Sequence, residues 1–365
     1  MKKALSLTLI LALVLGLSVG ALAYEEQTPQ LLLQLPDYIC TPDSMAEDAE
    51  GNLILSCPNF AALTTDMYEG KDLPSCVVKI DKDLNVTKWF DVPVNERSGV
   101  ACAMGLDFGP DGELYLVDNQ GWTGLEQCVN QGRILKLTFT PEGDIDTVTE
   151  MAVGMEHPNG VRYRDGFIYV TQSCLSPIQT YDGKLVSGLY RFPVDAEGIE
   201  VTNSLEDENL IATYVTQNPQ CQYGLDGLVF DAEGHLFVGN YGDGTLFRIT
   251  FAEDGSIAEN VSWACNRQEL NSTDGMNFDP ATGNLYVADF NGNAVACVDP
   301  AGNVFKVASS PDSDGQNGEL DQPGEPFIWN GKLIASCFDL VIDDQKVNQS
   351  IDDLPATMVV LDLVG

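Results

Sequence analysis

Five oxygen-bearing side chains recur at matching places along this chain: Asp43, Asn159, Asp226, Asp274 and Glu325, with Met104 at the sixth place. Each begins a short apolar run, and successive places lie 48 to 67 residues apart. Four of the five are carboxylates at neutral pH. Brought to one point away from water, such groups repel one another and resist ionisation unless a cation offsets them. Carboxylate and amide oxygens are hard donors that suit Ca²⁺ first, then Mg²⁺ or Mn²⁺, and can hold Zn²⁺. A single Asp-Gly pair at such a place does no more than cap a turn. A column kept in five of six copies reads as a divalent-cation site.

The elements that would position this column are visible in residues 224–250, GLDGLVFDAEGHLFVGNYGDGTLFRIT. An apolar run enters the turn Asp231-Ala232-Glu233-Gly234, returns through Leu236-Phe237-Val238-Gly239-Asn240, and after Tyr241-Gly242-Asp243-Gly244 continues as Leu246-Phe247-Arg248-Ile249. Short strands joined by Gly-bearing turns are the signature of hairpins. Residues 274–293 repeat the pattern almost position for position, residues 43–56 and 104–118 are further copies, and weaker ones start at Asn159 and Glu325. Six such units predict an all-β, six-bladed β-propeller with four antiparallel strands per blade.

Third strands are expected at 77–80, 134–137, 189–192, 246–249, 294–297 and 358–361, and fourth strands near 88–92, 149–153, 210–215, 261–265 and 304–308. The sixth unit ends before a fourth strand. The N-terminal segment 30–35 is therefore expected to supply it, closing the ring and covering an edge that would otherwise pair with other chains. In such a ring the innermost strands start at the mouth of the central channel, where the column would converge.

Lys2 and Lys3, the apolar run 5–19 and the small-residue end Ala21-Leu22-Ala23 read as a secretory signal peptide over residues 1–23, with residues 24–365 as one propeller domain. That places the protein outside the cell or in the periplasm. No later run is long and apolar enough to insert as a membrane-spanning helix. Removal of two lysines takes the net charge from −37 to −39, a field that repels nucleic acid and anionic membranes and attracts cations. The ten cysteines, an even count in an exported chain, are compatible with disulfides of unreadable pairing, whereas those within strands, such as Cys76 and Cys297, read as buried thiols.

Connections from second to third strands should rise beside the mouth. They are long at 58–75, 119–131, 172–186 and 338–356 and tight at 241–244 and 290–293. Long loops on a rigid scaffold are where recognition is placed, and these carry Phe60, Tyr68, Trp122 and Tyr181, rings able either to stack on a substrate or to pack their own loops. At the second-strand ends, Asp118, Gln172, Asn240 and Asp289 are expected to add polar groups to the rim.

The whole arrangement resembles the senescence marker protein (regucalcin), gluconolactonase and lactonase family of six-bladed propellers. The residues that carry it are Asp274-Gly-Met-Asn-Phe-Asp with Gly283-Asn-Leu-Tyr-Val-Ala-Asp, Pro158-Asn159-Gly160, and Asp226-Gly with Asp231-Ala-Glu-Gly. The resemblance implies one divalent ion at the channel mouth on positions that fall, blade by blade, on Asp43, Asn159, Asp226 and Asp274. This chain has Pro42-Asp43-Ser44 where the family has a Glu-Gly-Pro run, and Asp226 in place of a middle Asn; Glu325 could substitute for the shorter Asp43. The resemblance also implies opening of a lactone or sugar-derived ester by metal-activated water, with Asp274 or Glu325 as the base that takes the proton.

Other chemistries lack their residues. The chain has two histidines, His157 and His235, and no G-x-S-x-G elbow, so a Ser-His-Asp hydrolase is not supported. Dinucleotide and P-loop glycine patterns are missing as well. His157, two residues before Asn159, reads as a solvated turn residue or a proton shuttle; His235 reads as structural. The competing reading is a non-catalytic extracellular propeller that binds a ligand or a partner and uses its cation structurally. Oligomeric state is not legible.

Overall fold

The strands form around repeated tight turns, and their burial follows from what covers each face. In the computed structural model, which describes residues 24–340, 347 and 354–365, six sheets of at least four strands are arranged as successive blades. The expected leader, 1–23, and most of the expected loop 338–356 lie outside the described residues. The second strands Leu53–Cys57, Leu114–Asp118, Leu236–Asn240 and Leu285–Asp289 are buried at every position. The reason is that both faces of each meet another blade. Leu53, Leu55 and Cys57 pack with Ile334 and Met358 of the sixth blade, while Ile54 packs with Ala103, Leu106 and Leu116 of the second. A period of two is therefore present in the packing without an apolar-polar alternation in the sequence.

Outer strands are solvated on one side and lose that constraint; Ile257–Cys265 is mostly exposed or half-buried. The third and fourth strands fall where the sequence places them, lengthened by one to four residues at several ends. One addition was not foreseen: Ile199–Glu200 pairs parallel with Ile145–Met155, making the second blade five-stranded.

Ring closure is as expected. Gln30–Gln34 pairs antiparallel with Thr357–Leu361 as the outer strand of the sixth blade. Upstream, Gln27 bridges to Ala308 and the Tyr24 ring lies 5.1 Å from Phe305, so the same segment is also fixed to the fifth blade.

The innermost strands share one irregularity that matters for the site. In four blades the register slips at the same place, between Ala103 and Leu106, Pro158 and Val161, Leu225 and Leu228, and Pro323 and Pro326. Such bulges bend a strand and re-aim its side chains. Here they fall on the predicted column.

Candidate functional site

The bulge fixes which residue of each blade faces the mouth. Aligned on it, Met104-Gly105, Asn159-Gly160, Asp226-Gly227 and Gly324-Glu325 occupy equivalent pairs. A second pattern gives the same alignment. Gly160 donates its N–H to Thr171 Oγ1 at 2.9 Å, Ser44 to Ser56 Oγ at 3.0 Å and Glu325 to Ser336 Oγ at 3.1 Å. Glu325 therefore stands one residue beyond the column, and Gly324 takes the mouth position of the sixth blade.

These hydroxyls also join blades. Thr171 Oγ1 donates to the carbonyl of Asp226, and Ser336 Oγ donates to the carbonyl of Asp43 at 2.6 Å. Each thus holds the backbone of the next blade's mouth residue. The glycines admit this close approach: a Cβ on Gly105 would stand 2.5 Å from the carbonyl oxygen of Asn159, and one on Gly227 would stand 2.3 Å from that of Asp274.

Asp43, Asn159, Asp226 and Asp274 are brought together. All four line the mouth pocket, and all four also line the narrow cavity beneath it, so they form the partition between the two. Asp43, Asn159 and Asp226 are buried, and Asp274 is half-buried. Burial, followed by the Asp274 and Glu325 carboxylates, pushes the Asp43 carboxyl well above its ordinary range. Asp226 is likewise pushed up by burial and by Asp43, an effect that its hydrogen bond with Asp274 only partly offsets.

Glu325 is elsewhere. It lines the lower cavity, where Oε1 accepts from Arg162 at 2.6 Å and Oε2 accepts from Ser44 Oγ at 2.7 Å and from the Met45 N–H at 2.5 Å. This placement sets it apart from the position expected for a substitute ligand or base: both of its oxygens are committed to partners below the mouth. Arg162 is correspondingly committed to Glu325, and among the described residues no Lys or Arg lines the mouth pocket. Two carboxyls raised by burial and mutual repulsion, with a third carboxylate and an amide oxygen beside them and no protein cation in the lining among the described residues, fit a hard divalent ion.

Above the carboxyls runs a belt of rings. Phe60 contacts Phe338, Phe338 contacts Phe290, Phe290 contacts Tyr241, Tyr241 contacts Tyr223 and Tyr223 contacts Trp122, with centroid separations of 6.3, 5.8, 6.4, 5.4 and 5.1 Å. All six line the pocket with Met104, Thr64 and Leu340. Two of the four expected loop rings, Phe60 and Trp122, belong to it. Tyr68 is instead buried in the core and Tyr181 is fully exposed. Tyr223, Tyr241, Phe290 and Phe338 were missed. Their signal is a second column, since Tyr241, Phe290 and Phe338 each follow the last residue of a second strand, Asn240, Asp289 and Cys337.

The expected polar rim is corrected as well. Asp118, Gln172, Asn240 and Asp289 are fully buried and tie strand ends to the preceding chain. Asp289, for example, accepts from the N–H groups of Asn271, Ser272 and Gly292, and Asp118 accepts from Arg133 Nε at 2.7 Å and the Cys102 N–H at 2.8 Å. A side chain ending a second strand points into the joint between blades, where unpaired backbone donors need an acceptor. His157 is partly buried with its ring tilted against Trp122, and His235 bonds Asp231 at the far end of the strands. All ten cysteines are free thiols.

No family model matches the sequence, and a comparison with curated proteins finds no match. Solved structures do match over nearly the full length. A gluconolactonase from Xanthomonas campestris, 14% identical, aligns over 92% of this chain and 94% of its own with a TM-score of 0.55. A luciferin-regenerating enzyme, 13% identical, aligns over 93% and 96% with a TM-score of 0.58. The calcium-binding protein regucalcin from Agrobacterium tumefaciens, 11% identical, aligns over 92% and 93% with a TM-score of 0.56. At these identities the likeness establishes a shared six-bladed fold.

Proposed function

We propose that this propeller is a divalent-cation-dependent lactonase, exported by its N-terminal leader, that opens a cyclic ester carrying an apolar or aromatic substituent. The observation that carries the reading is the partition of Asp43, Asn159, Asp226 and Asp274 at the floor of a ring-lined pocket. The fold shared with a gluconolactonase and a calcium-binding regucalcin supports it.

Asp43, Asn159 and Asp226 would hold the ion, Ca²⁺ first, from the buried side, with Asp274 completing the set. A divalent ion bound there would supply a Lewis acid that polarises a carbonyl and lowers the pKa of water. Asp274 is the most accessible of the three carboxylates, which suits it to take the proton from the attacking water and return it to the departing alkoxide. Tyr241 stays protonated, its hydroxyl pushed up by burial and then by Asp274, and donates to Asn291 Oδ1 at 2.9 Å. The ring belt excludes water from the floor and orients the ester by contact with its apolar part.

The test is acid release from a lactone panel, with and without chelator. Hydrolysis that needs Ca²⁺ and favours aryl- or alkyl-substituted lactones over a bare sugar lactone is the expected result. No hydrolysis of any lactone by protein that still binds Ca²⁺ would favour the non-catalytic reading.

A further inference from the structure

On the flank of the mouth, beside Trp122, three side chains of different chemistry meet. A carboxylate oxygen of Glu156, a ring nitrogen of His157 and the sulfur of Cys174 lie within 4.8 Å of one another. All three belong to the third blade's mouth end. Glu156 and His157 join the strands Ile145–Met155 and Pro158–Arg164, and Cys174 follows the strand Phe167–Gln172.

The histidine is held from one side only. Its ring bonds the Gly121 backbone and lies against Trp122, tilted by 47° with centroids 4.1 Å apart. Nδ1 is buried without a hydrogen-bond partner, 3.7 Å from Glu156 Oε1 and so beyond a hydrogen bond. Glu156 is oriented by Ser176, whose N–H donates to Oε2 at 2.8 Å and whose hydroxyl donates to Oε1. An imidazole anchored to backbone, with Nδ1 left unpartnered beside a carboxylate and a thiol within 4.8 Å of a ring nitrogen, has the arrangement of a metal-binding histidine with its supporting contact in place.

We infer that Glu156, His157 and Cys174 form a second cation site, separate from the axial carboxylates and suited to a thiophilic divalent ion, Zn²⁺ first. Mixed sulfur, nitrogen and oxygen donors select against Ca²⁺ and Mg²⁺, which take oxygen sets. Three protein ligands leave a fourth position to solvent. On binding, the thiol proton leaves to water and the sulfur coordinates as thiolate. An ion here would also fix His157 and, through their ring contact, the Trp122 end of the ring belt.

The test uses the protein of residues 24–365, stripped with chelator and then held in excess Ca²⁺ so that the axial carboxylates are not in question. Iodoacetamide labelling resolved by site should show Cys174 protected by Zn²⁺ about tenfold or more, because the metal competes for the same thiolate. The exposed Cys265 should label at an unchanged rate. Co²⁺ provides a second readout if Cys174 labels too slowly: a thiolate-to-cobalt charge-transfer band is expected in the wild type and in Asp274→Ala, and lost in Cys174→Ser. Equal labelling of Cys174 with and without Zn²⁺, or a cobalt band that survives Cys174→Ser, would overturn the assignment. Neither outcome depends on lactone hydrolysis, so it fails or stands apart from the proposed activity.

Discussion

Asp43 and Asp48 sit five residues apart at opposite ends of the same innermost strand, and the fold treats them in opposite ways. At the turn end, Asp48 accepts from the Glu50 and Asn52 N–H groups at 3.1 and 2.8 Å and pairs with Lys79 at 3.2 Å. Burial pushes its carboxyl up, but the Asn52 and Lys79 contacts outweigh that and hold it below the ordinary range. At the mouth end, Asp43 meets other carboxylates instead of donors, and its carboxyl is pushed well up. One residue type thus does turn chemistry at one face and is left electrostatically incomplete at the other. Groups kept against their ionisation preference cluster at functional sites, and here the shift coincides with a pocket floor shared with other carboxylates.

The largest effect that would sharpen this contrast is on ion affinity. Asp226→Ala and Asp274→Ala should each weaken Ca²⁺ binding more than roughly 100-fold, since even outer partners of a metal ligand are worth roughly 10- to 100-fold. Asp48→Ala should leave the affinity unchanged. Calorimetric titration reads both, and loss of Ca²⁺ binding in Asp48→Ala would break the distinction.

Next comes the packing that sets the mouth. Gly227→Ala places a methyl against the Asp274 carbonyl and should cost about 1–3 kcal/mol in denaturant unfolding, in the range of overpacked cores. It should weaken Ca²⁺ binding as well, because the displaced backbone carries Asp274. A variant of wild-type stability would show that the blades can separate at this joint.

The pH dependence follows from the direction of the shifts. Carboxyls raised in the folded state bind protons more tightly folded than unfolded. Chelated protein should therefore lose stability as pH rises from the ordinary carboxylate range through the raised values of Asp43 and Asp226. Saturating Ca²⁺ should flatten that slope. Melting temperatures across pH with and without chelator check it, and a chelated protein that gains stability over the same window would contradict the burial argument. Asp48, lowered in the fold, acts in the other sense and stabilises above the ordinary range. The smallest effect is therefore Asp48→Ala, expected to cost about 1 kcal/mol at neutral pH through its lost turn hydrogen bonds.

Much of this was legible in sequence because a propeller repeats one local solution. The column at Asp43, Asn159, Asp226 and Asp274 could be read from turn spacing alone, as could the closure by Gln30–Gln34. Glu325 could not be placed correctly. Pro323-Gly324-Glu325-Pro326 lacks the Gly that follows the mouth residue in the second to fifth blades, and the bulge that sets the register leaves no mark in composition. The ring belt was half visible, since loop length drew attention to Phe60 and Trp122. Tyr241, Phe290 and Phe338 follow strand ends in a column as regular as the first. Asp118, Gln172, Asn240 and Asp289 were expected at the rim because their types suit solvent; the joint between blades recruits the same types to satisfy buried backbone donors.

The central claim is tested most directly by titrating Ca²⁺ calorimetrically into chelator-stripped protein at neutral pH, for the wild type and Asp226→Ala. The account predicts one tight ion per chain in the wild type and none in the variant. A wild type that takes up no Ca²⁺, or a variant that binds it with unchanged affinity, would contradict it.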